Sequence, residues 1–375
     1  MEPFAFALVL ALAFANGTND VSKAIATLVG SGVTNYRTAI VWGTAWTIVG
    51  ASTSALVAGT MVKTFSNDLI QAGTILQPTV ALAVLIGAIT WVLFASRTGL
   101  PVSTTHALTG AIVGAGLIAL SGSGLIWTAI GGKIALPLLL SPFLALGVSL
   151  AVHPAVRLLA ARWEGACVCV MPASRAVVAI DVHGGTRTLF QATSFGHPVM
   201  AVPSQCDRAG LQGLVVGLDT IHWISSGLAS FARGTNDAPK IVAMLLLGSA
   251  TTAWPSTSFQ LAAFGGVALA MGLGSYFGGL RVTEVLAEKV TRMDHVEGLS
   301  ANLTTSTLVL TSGWLGLPVS TTHVSSSAII GIGLLKGMKA VQWHTVRDMV
   351  LAWIVTLPAS ALLASLAYLF LKRLP

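Results

Sequence analysis

An asparagine, an aspartate and a lysine stand close together in Phe14-Ala-Asn-Gly17-Thr18-Asn19-Asp20-Val-Ser-Lys23, inside sequence that otherwise reads as membrane-spanning. A carboxylate near the bilayer centre is costly unless it is paired, so this grouping calls for a partner. Lys23 supplies one, because on a helix it shares a face with Asp20. The grouping recurs as Phe231-Ala-Arg-Gly234-Thr235-Asn236-Asp237-Ala-Pro-Lys240. A second element, Gly99-Leu-Pro101-Val-Ser103-Thr104-Thr105-His106, recurs residue for residue as Gly316-Leu-Pro318-Val-Ser320-Thr321-Thr322-His323. Both pairs are separated by the same 217 residues, which marks an internal duplication.

The chemistry these residues suit is anion and cation binding. Hydroxyls following a proline, at the point where a helix would begin, converge with unpaired backbone N–H groups and the positive end of the helix dipole. Two such ends facing each other would hold a tetrahedral anion. Ser103, Thr104, Thr105, Ser320, Thr321 and Thr322 are the candidate donors, and Asn19, Asp20, Lys23, Asn236, Asp237 and Lys240 the candidate charged and amide groups beside them. The simpler alternatives are an N-cap that only starts a helix and a structural salt bridge that only permits burial. Neither explains why the same residues recur at equivalent places. His106 and His323 could carry protons or pack as neutral imidazoles.

The elements around these residues are apolar. Hydrophobic residues make up 54% of the 375 and charged residues only 9%, against about 25% charged in a typical soluble domain. Runs of spanning length fall near 3–18, 39–62, 79–96, 134–153, 211–231, 258–280, 301–315 and 348–371. The first of them, without an n-region or cleavage site, reads as a retained span. Shorter pieces at 21–33, 101–120, 238–253 and 318–335 suit half-helices or re-entrant hairpins. The expected fold is an all-α polytopic membrane protein of two inverted-topology repeats with broken or re-entrant helices and a small soluble insert. Residues 1–155 would form the first transmembrane repeat, 156–210 the insert and 211–375 the second repeat. A central site at the repeat interface, as in secondary transporters, follows from that layout.

Lys and Arg sit mainly in connections and at helix ends, so the net charge of +7 orients the chain in the bilayer and does not point to nucleic acid. Within the insert, Val177-Val-Ala-Ile-Asp-Val182 and Thr186-Arg-Thr-Leu-Phe190 flank His183-Gly184-Gly185 as a β-hairpin, and its arginines favour the cytoplasmic side. Arg281 to Glu297 reads as an amphipathic surface helix. Cys167, Cys169 and Cys206 read as ordinary thiols, with no metal or cofactor expected. Walker, zinc-protease and nucleophile-elbow patterns are all missing, which excludes the common enzyme classes and leaves transport driven by an ion gradient or by the substrate's own.

At these motifs the sequence resembles the PiT family of inorganic phosphate transporters, whose halves each carry a Gly-Ala-Asn-Asp-like signature and a Leu-Pro-Val-Ser-Thr-Thr-His-like stretch. Thr18 and Thr235 stand where the family usually has alanine. The resemblance implies two inverted repeats of about ten to twelve spans in total, with phosphate held between them. It places Asn19, Asp20, Asn236 and Asp237 in the substrate and cation region and the six triplet hydroxyls at the phosphate-binding ends. It also admits a homodimer. Many sodium-coupled members resemble Asn-Asp-Val-Ala-Asn where this chain has Lys23, and carry a glutamate where it has Asn302. Lys240 and the run Gly298-Leu-Ser-Ala-Asn302 through Ser325-Ser-Ser327 are closer to bacterial Pit-type permeases, regarded as proton-coupled, which implies a multi-pass protein of the bacterial inner membrane.

Counting Asp20 and Asp237 against Lys23 and Lys240 leaves the empty site formally neutral, so the lysines could replace bound cations and exchange protons as their surroundings change. The coupling-ion candidates are therefore Asp20, Asp237, Lys23, Lys240, His106, His323 and Asn302, with H⁺ favoured over Na⁺. Sulfate or another tetrahedral oxyanion is the alternative cargo, although only phosphate can donate a proton to an aspartate at neutral pH. A membrane sensor that uses the insert for signalling is the alternative from another class.

Overall fold

In the computed structural model the described residues are 2–57, 59–71, 74, 76–161, 167–170, 175–180, 188–193, 198–201, 215–247 and 254–373, with only the backbone described between 167 and 216. In the first half, α1 (Glu2–Asp20) is followed by α2 (Ser22–Gly30), α3 (Tyr36–Thr53), α4 (Gly59–Ser66), α5 (Pro78–Thr98), α6 (Thr104–Ala119) and α7 (Trp127–Ala161). The second half holds α8 (Leu218–Val242), α9 (Thr257–Gly278), α10 (Leu280–Glu288), α11 (His295–Trp314), α12 (Thr321–Leu335) and α13 (Trp343–Leu371). Shifted by the offset of the duplication, α1, α3, α5, α6 and α7 fall on α8, α9, α11, α12 and α13.

Local chemistry sets the boundaries. Pro78 opens α5, where its missing N–H costs nothing, and Gly99 closes it in the left-handed region at φ +80°. Ser103 and Ser320 cap α6 and α12 by accepting from the backbone N–H of His106 and His323 at 3.3 and 3.1 Å. Asp294 and Glu297 form a reciprocal capping box at the start of α11. α6 and α12 have 16 and 15 residues, too short for a full span and in keeping with the expected half-helices.

Among the described residues, six helical stretches are long and apolar enough to cross a membrane: Pro3–Gly30, Tyr36–Leu56, Pro78–Thr98, Trp127–Ala161, Thr257–Gly278 and Trp343–Leu371. The spans expected at 211–231 and 301–315 become α8 and α11. These are long but polar, because each turns serines, threonines and charged or amide groups inward. The two copies of the first motif also differ. In the first, the helix breaks at Val21, whose N–H reaches Gly17 O at only 3.5 Å. In the second, the short piece expected from 238 is instead the end of α8, which runs unbroken through Pro239 and tightens into a 3-10 turn at Ala243–Leu245. Thr235, whose carbonyl loses its helical partner to Pro239, donates its own hydroxyl to Ala232 O.

The halves interlock. α1 packs on α9 and α8 on α3, while the long closing helices cross over, α7 onto α11 and α12, and α13 onto α5 and α6. The largest buried apolar cluster accordingly draws on both halves.

Three expectations change in detail. α10 ends at Glu288, and its apolar face, Val282 and Leu286, is buried against α2 instead of lying on a membrane surface. α7 continues past residue 155, the boundary expected for the first repeat, to Ala161. Strands β1 (Cys167–Val170), β2 (Arg175–Ile180), β3 (Thr188–Thr193), β4 (Pro198–Ala201) and β5 (Val215–Val216) follow α7. β2 and β3 pair antiparallel from Arg175 opposite Thr193 to Ile180 opposite Thr188, farther from the glycine turn than expected. That turn, Cys206 and the side chains of Cys167 and Cys169 lie outside the described residues.

Candidate functional site

The two motifs of each half meet where the halves meet. Asn19, Asp20, Lys23, Asn236, Asp237, Lys240 and all six triplet hydroxyl residues are buried, each at most 5% exposed. Lys23 ion-pairs with Asp20 Oδ1 and donates to Asn19 Oδ1 at 3.1 Å and to Val102 O at 3.0 Å. Lys240 does the equivalent, donating to Asp237 Oδ1 at 3.2 Å, to Val319 O at 3.2 Å and to Thr105 Oγ1 at 2.9 Å. Each ammonium is thus enclosed by a carboxylate, a main-chain carbonyl and a neutral side-chain oxygen. That is the donor set of an oxygen-ligated cation site, with the cation tethered to the chain.

The threonines join the halves. Thr321 donates to Asp20 Oδ2 at 3.4 Å, Thr322 donates to Val102 O at 2.7 Å, and Thr105 accepts from Lys240. Asn16, one turn before Asp20, is the hub: its Nδ2 donates to Asp20 Oδ2 and Thr104 Oγ1, both at 3.0 Å, and to Asp237 Oδ2 at 3.3 Å. Ser103 and Ser320 serve the start of their own helices, the simpler of the two roles foreseen for them.

The duplication is imperfect in a useful way. In the first half Asn19 pins the turn before α6 from both sides, donating to Leu100 O at 3.0 Å and accepting from Val102 N at 3.1 Å. Its counterpart Asn236 donates to Asp237 Oδ1 at 2.9 Å and reaches Val319 O only at 3.4 Å, and its Oδ1 has no partner. The turn before α12 is therefore held more loosely than the turn before α6.

His106 and His323 face each other with ring centroids 4.6 Å apart, and both line a cavity of about 640 Å³ whose other walls are mostly apolar. His323 donates from Nδ1 to Leu138 O at 3.2 Å, which assigns its tautomer by geometry, while His106 Nδ1 and His323 Nε2 are unpartnered. Asn302 lies apart from the central network: it is buried on α11, and neither its Oδ1 nor its Nδ2 has a partner.

Two further clefts occupy equivalent places in the halves. One is lined by Phe14, Thr18, Ser96, Arg97 and Arg281, and the other by Phe231, Thr235, Gly313, Trp314 and Thr60. The first reaches the site through Ser96, which accepts from Thr18 at 2.9 Å and Asn19 at 3.2 Å. It is basic, whereas its mate has Trp314 where Arg97 stands.

The expectation of a neutral site is corrected by Arg233. This residue is buried on α8, and the Asp237 carboxylate acts electrostatically on it. With Lys23 and Lys240 it makes three buried cations against two carboxylates. Asn16 and Arg233 both stand just before the motif glycines, and their polarity at matching positions was the signal that could have singled them out.

The phosphate transporter family pattern matches residues 16–364. The "Probable low-affinity inorganic phosphate transporter" of Bacillus subtilis is 30% identical over 373 residues, covering 97% of this chain and 95% of that protein. A protein of Rhizobium meliloti with the same description is 30% identical, covering 96% and 94%. A solved structure titled "The sodium-dependent phosphate transporter" shares the fold with a TM-score of 0.75 at 22% identity, covering 100% of this chain and 99% of that one. Interlocked duplicated halves, buried ion pairs and paired hydroxyl-bearing helix starts thus coincide with a match over nearly the whole sequence: this multi-pass membrane protein belongs to the phosphate transporter family.

Proposed function

We propose that this protein carries inorganic phosphate together with protons, by alternating access around the site between its two halves, with the halves in opposite orientation across the membrane. The observation that carries the coupling is the surroundings of Lys23 and Lys240. Each ammonium fills an oxygen-lined cage of the kind a free cation would occupy, so no metal cation has to enter with the anion. A tethered lysine still exchanges protons when its cage opens to water and reseals. The phosphate oxygens would take donors from Thr104, Thr105, Thr321 and Thr322 and from the starts of α6 and α12. The looser turn at Val319 marks the half that releases first, and in opposite orientations the two clefts open to opposite sides.

The test is phosphate uptake into proteoliposomes under separately imposed pH and sodium gradients. Uptake is expected to follow the pH gradient and to ignore sodium. Lys23→Ala and Lys240→Ala are each expected to lower pH-driven uptake at least about tenfold, and sodium should stimulate what remains, because the emptied cage admits it. Sodium-driven uptake in the unaltered protein would instead favour the second reading, a sodium-coupled symporter, which draws support from the shared fold with a protein titled sodium-dependent.

Arg97 and Arg281 give a second expectation. Both are exposed in the cleft, and Arg281 holds Arg97 O at 2.5 Å. Paired cations at a mouth concentrate anions and are screened by salt. Arg97→Gln with Arg281→Gln should raise the KM for phosphate about five- to tenfold at low ionic strength, and much less in about 1 M salt, with kcat little changed. An unchanged KM would remove this cleft from the route.

A further inference from the structure

Arg233 stands one turn before Asp237 on α8 and is 1% exposed. A guanidinium so deep is usually matched by a carboxylate, since the loss of hydration is large and an opposite charge is what offsets it. Among the described residues Arg233 forms no ion pair. Asp237, one turn away, is already engaged by Lys240, Asn236 and Asn16. The Nη2 of Arg233 donates to Thr47 Oγ1 on α3 and, at 3.4 Å, to Ser275 Oγ on α9, while Nε and Nη1 have no partner. Two more buried hydroxyl oxygens lack partners one turn away on the same helices, Thr44 Oγ1 before Thr47 and Ser230 Oγ before Arg233.

The duplication sharpens the point. Where the second half has Arg233 bonded to Thr47 and Ser275, with Thr44 and Ser230 one turn from Thr47 and from Arg233, the positions related by the repeat offset are Asn16, Phe264, Ala58, Leu261 and Ala13. All four hydroxyls therefore accompany the arginine, and none of them occurs at the mate positions in the sequence. A core built only for packing would have no reason to depart from its copy by a charge and four hydroxyls together. Thr47 and Ser275 hold the guanidinium, their own protons going to Gly43 O and Gly17 O, so the groups left over are the free N–H donors of Arg233 and the hydroxyls of Thr44 and Ser230, a set that suits an oxyanion still carrying a proton.

We propose that Arg233, with Thr44, Thr47, Ser230 and Ser275, forms a second oxyanion station beside the central site, present in one half only, which phosphate occupies during transit. The proposal rests on phosphate as the cargo. Arg233 supplies there the positive charge that the two lysine–aspartate pairs, each neutral, do not offer.

Equilibrium binding of radiolabelled phosphate to the purified protein tests it. Arg233→Gln and Arg233→Asn should weaken affinity at least tenfold and Arg233→Lys about threefold, because lysine keeps the charge and loses the fork. In protein carrying isotope-labelled arginine, the Nε–H resonance missing from Arg233→Lys should shift with phosphate, at the concentration that half-saturates binding, and should not shift with chloride. This measurement on the unaltered protein holds even where Arg233→Gln fails to fold. Unchanged affinity in Arg233→Lys together with an unmoved Nε–H resonance would overturn the station while leaving phosphate transport standing. An equal shift with chloride would overturn its oxyanion character. A parent protein that binds no phosphate at all would sink the cargo reading and the station with it.

Discussion

Asp20→Asn is expected to reduce phosphate uptake by at least about a hundredfold and to destabilise the protein more than any other single neutralisation in the first half. The carboxylate is 1% exposed, and it answers to Lys23, Asn16 and Thr321 at once. Breaking a buried pair from one side leaves an uncompensated charge, a change that typically costs about 3–5 kcal/mol. The introduced amide would also have to present its N–H groups to one of two donors, Lys23 at one oxygen position or Asn16 and Thr321 at the other. The double replacement Asp20→Asn with Lys23→Ala removes the stranded charge, so thermal stability should largely return while uptake should not. Melting temperatures and uptake measured on the same three preparations separate the two roles. Full recovery of uptake in the double variant would reduce the pair to a structural salt bridge.

Gly17→Ala should be among the most disruptive single added methyl groups at the described glycines. A Cβ at Gly17 would lie 2.1 Å from Met271 O and 2.8 Å from Ser275 N, both main-chain atoms of α9. No rotamer relieves a clash with backbone, so α1 and α9 would have to separate and carry Asn16 and Asp20 with them. Overpacking of this kind commonly costs about 1–3 kcal/mol and here should reach or exceed the upper end. Gly265→Ala, on α9 but with open space around its Cβ, is the matched control and should be neutral or stabilising by about 0.5–1 kcal/mol. A Gly17→Ala protein that melts with the parent would show the helices to be less tightly apposed than the structure has them.

The paired motifs were legible because lipid rejects polar side chains: Asp20, Lys23 and the Ser-Thr-Thr triplets stand out from apolar sequence, and one offset relates both pairs. Helix starts at Pro78, Ser103 and Ser320 were equally open to reading, since capping is local chemistry. What the sequence left hidden is long-range. Nothing local says that Asn16 reaches Asp237, that Thr322 donates to Val102 O in the other half, or that α7 and α13 exchange places. The unbroken passage of α8 through Pro239 was concealed because proline normally ends a helix, and only tertiary packing keeps this one going. Charge counting failed at Arg233 for another reason: the count was confined to the residues shared by the two copies, and Arg233 is where they differ.

The crossing of α7 and α13 also has a bearing on how the chain is assembled. α13 covers α5 and α6, which are made long before it; at Gly114 a Cβ would lie 2.1 Å from Ala361 O, so the two backbones are in near contact. At a synthesis rate of about 5–20 residues per second, that face of α6 waits on the order of tens of seconds for its cover. Throughout that interval the small residues of α6 and the half-built charge network can be shielded only by lipid or by a helper protein. Neither half can complete its own fold, and quality control of this transporter therefore hinges on the arrival of α13.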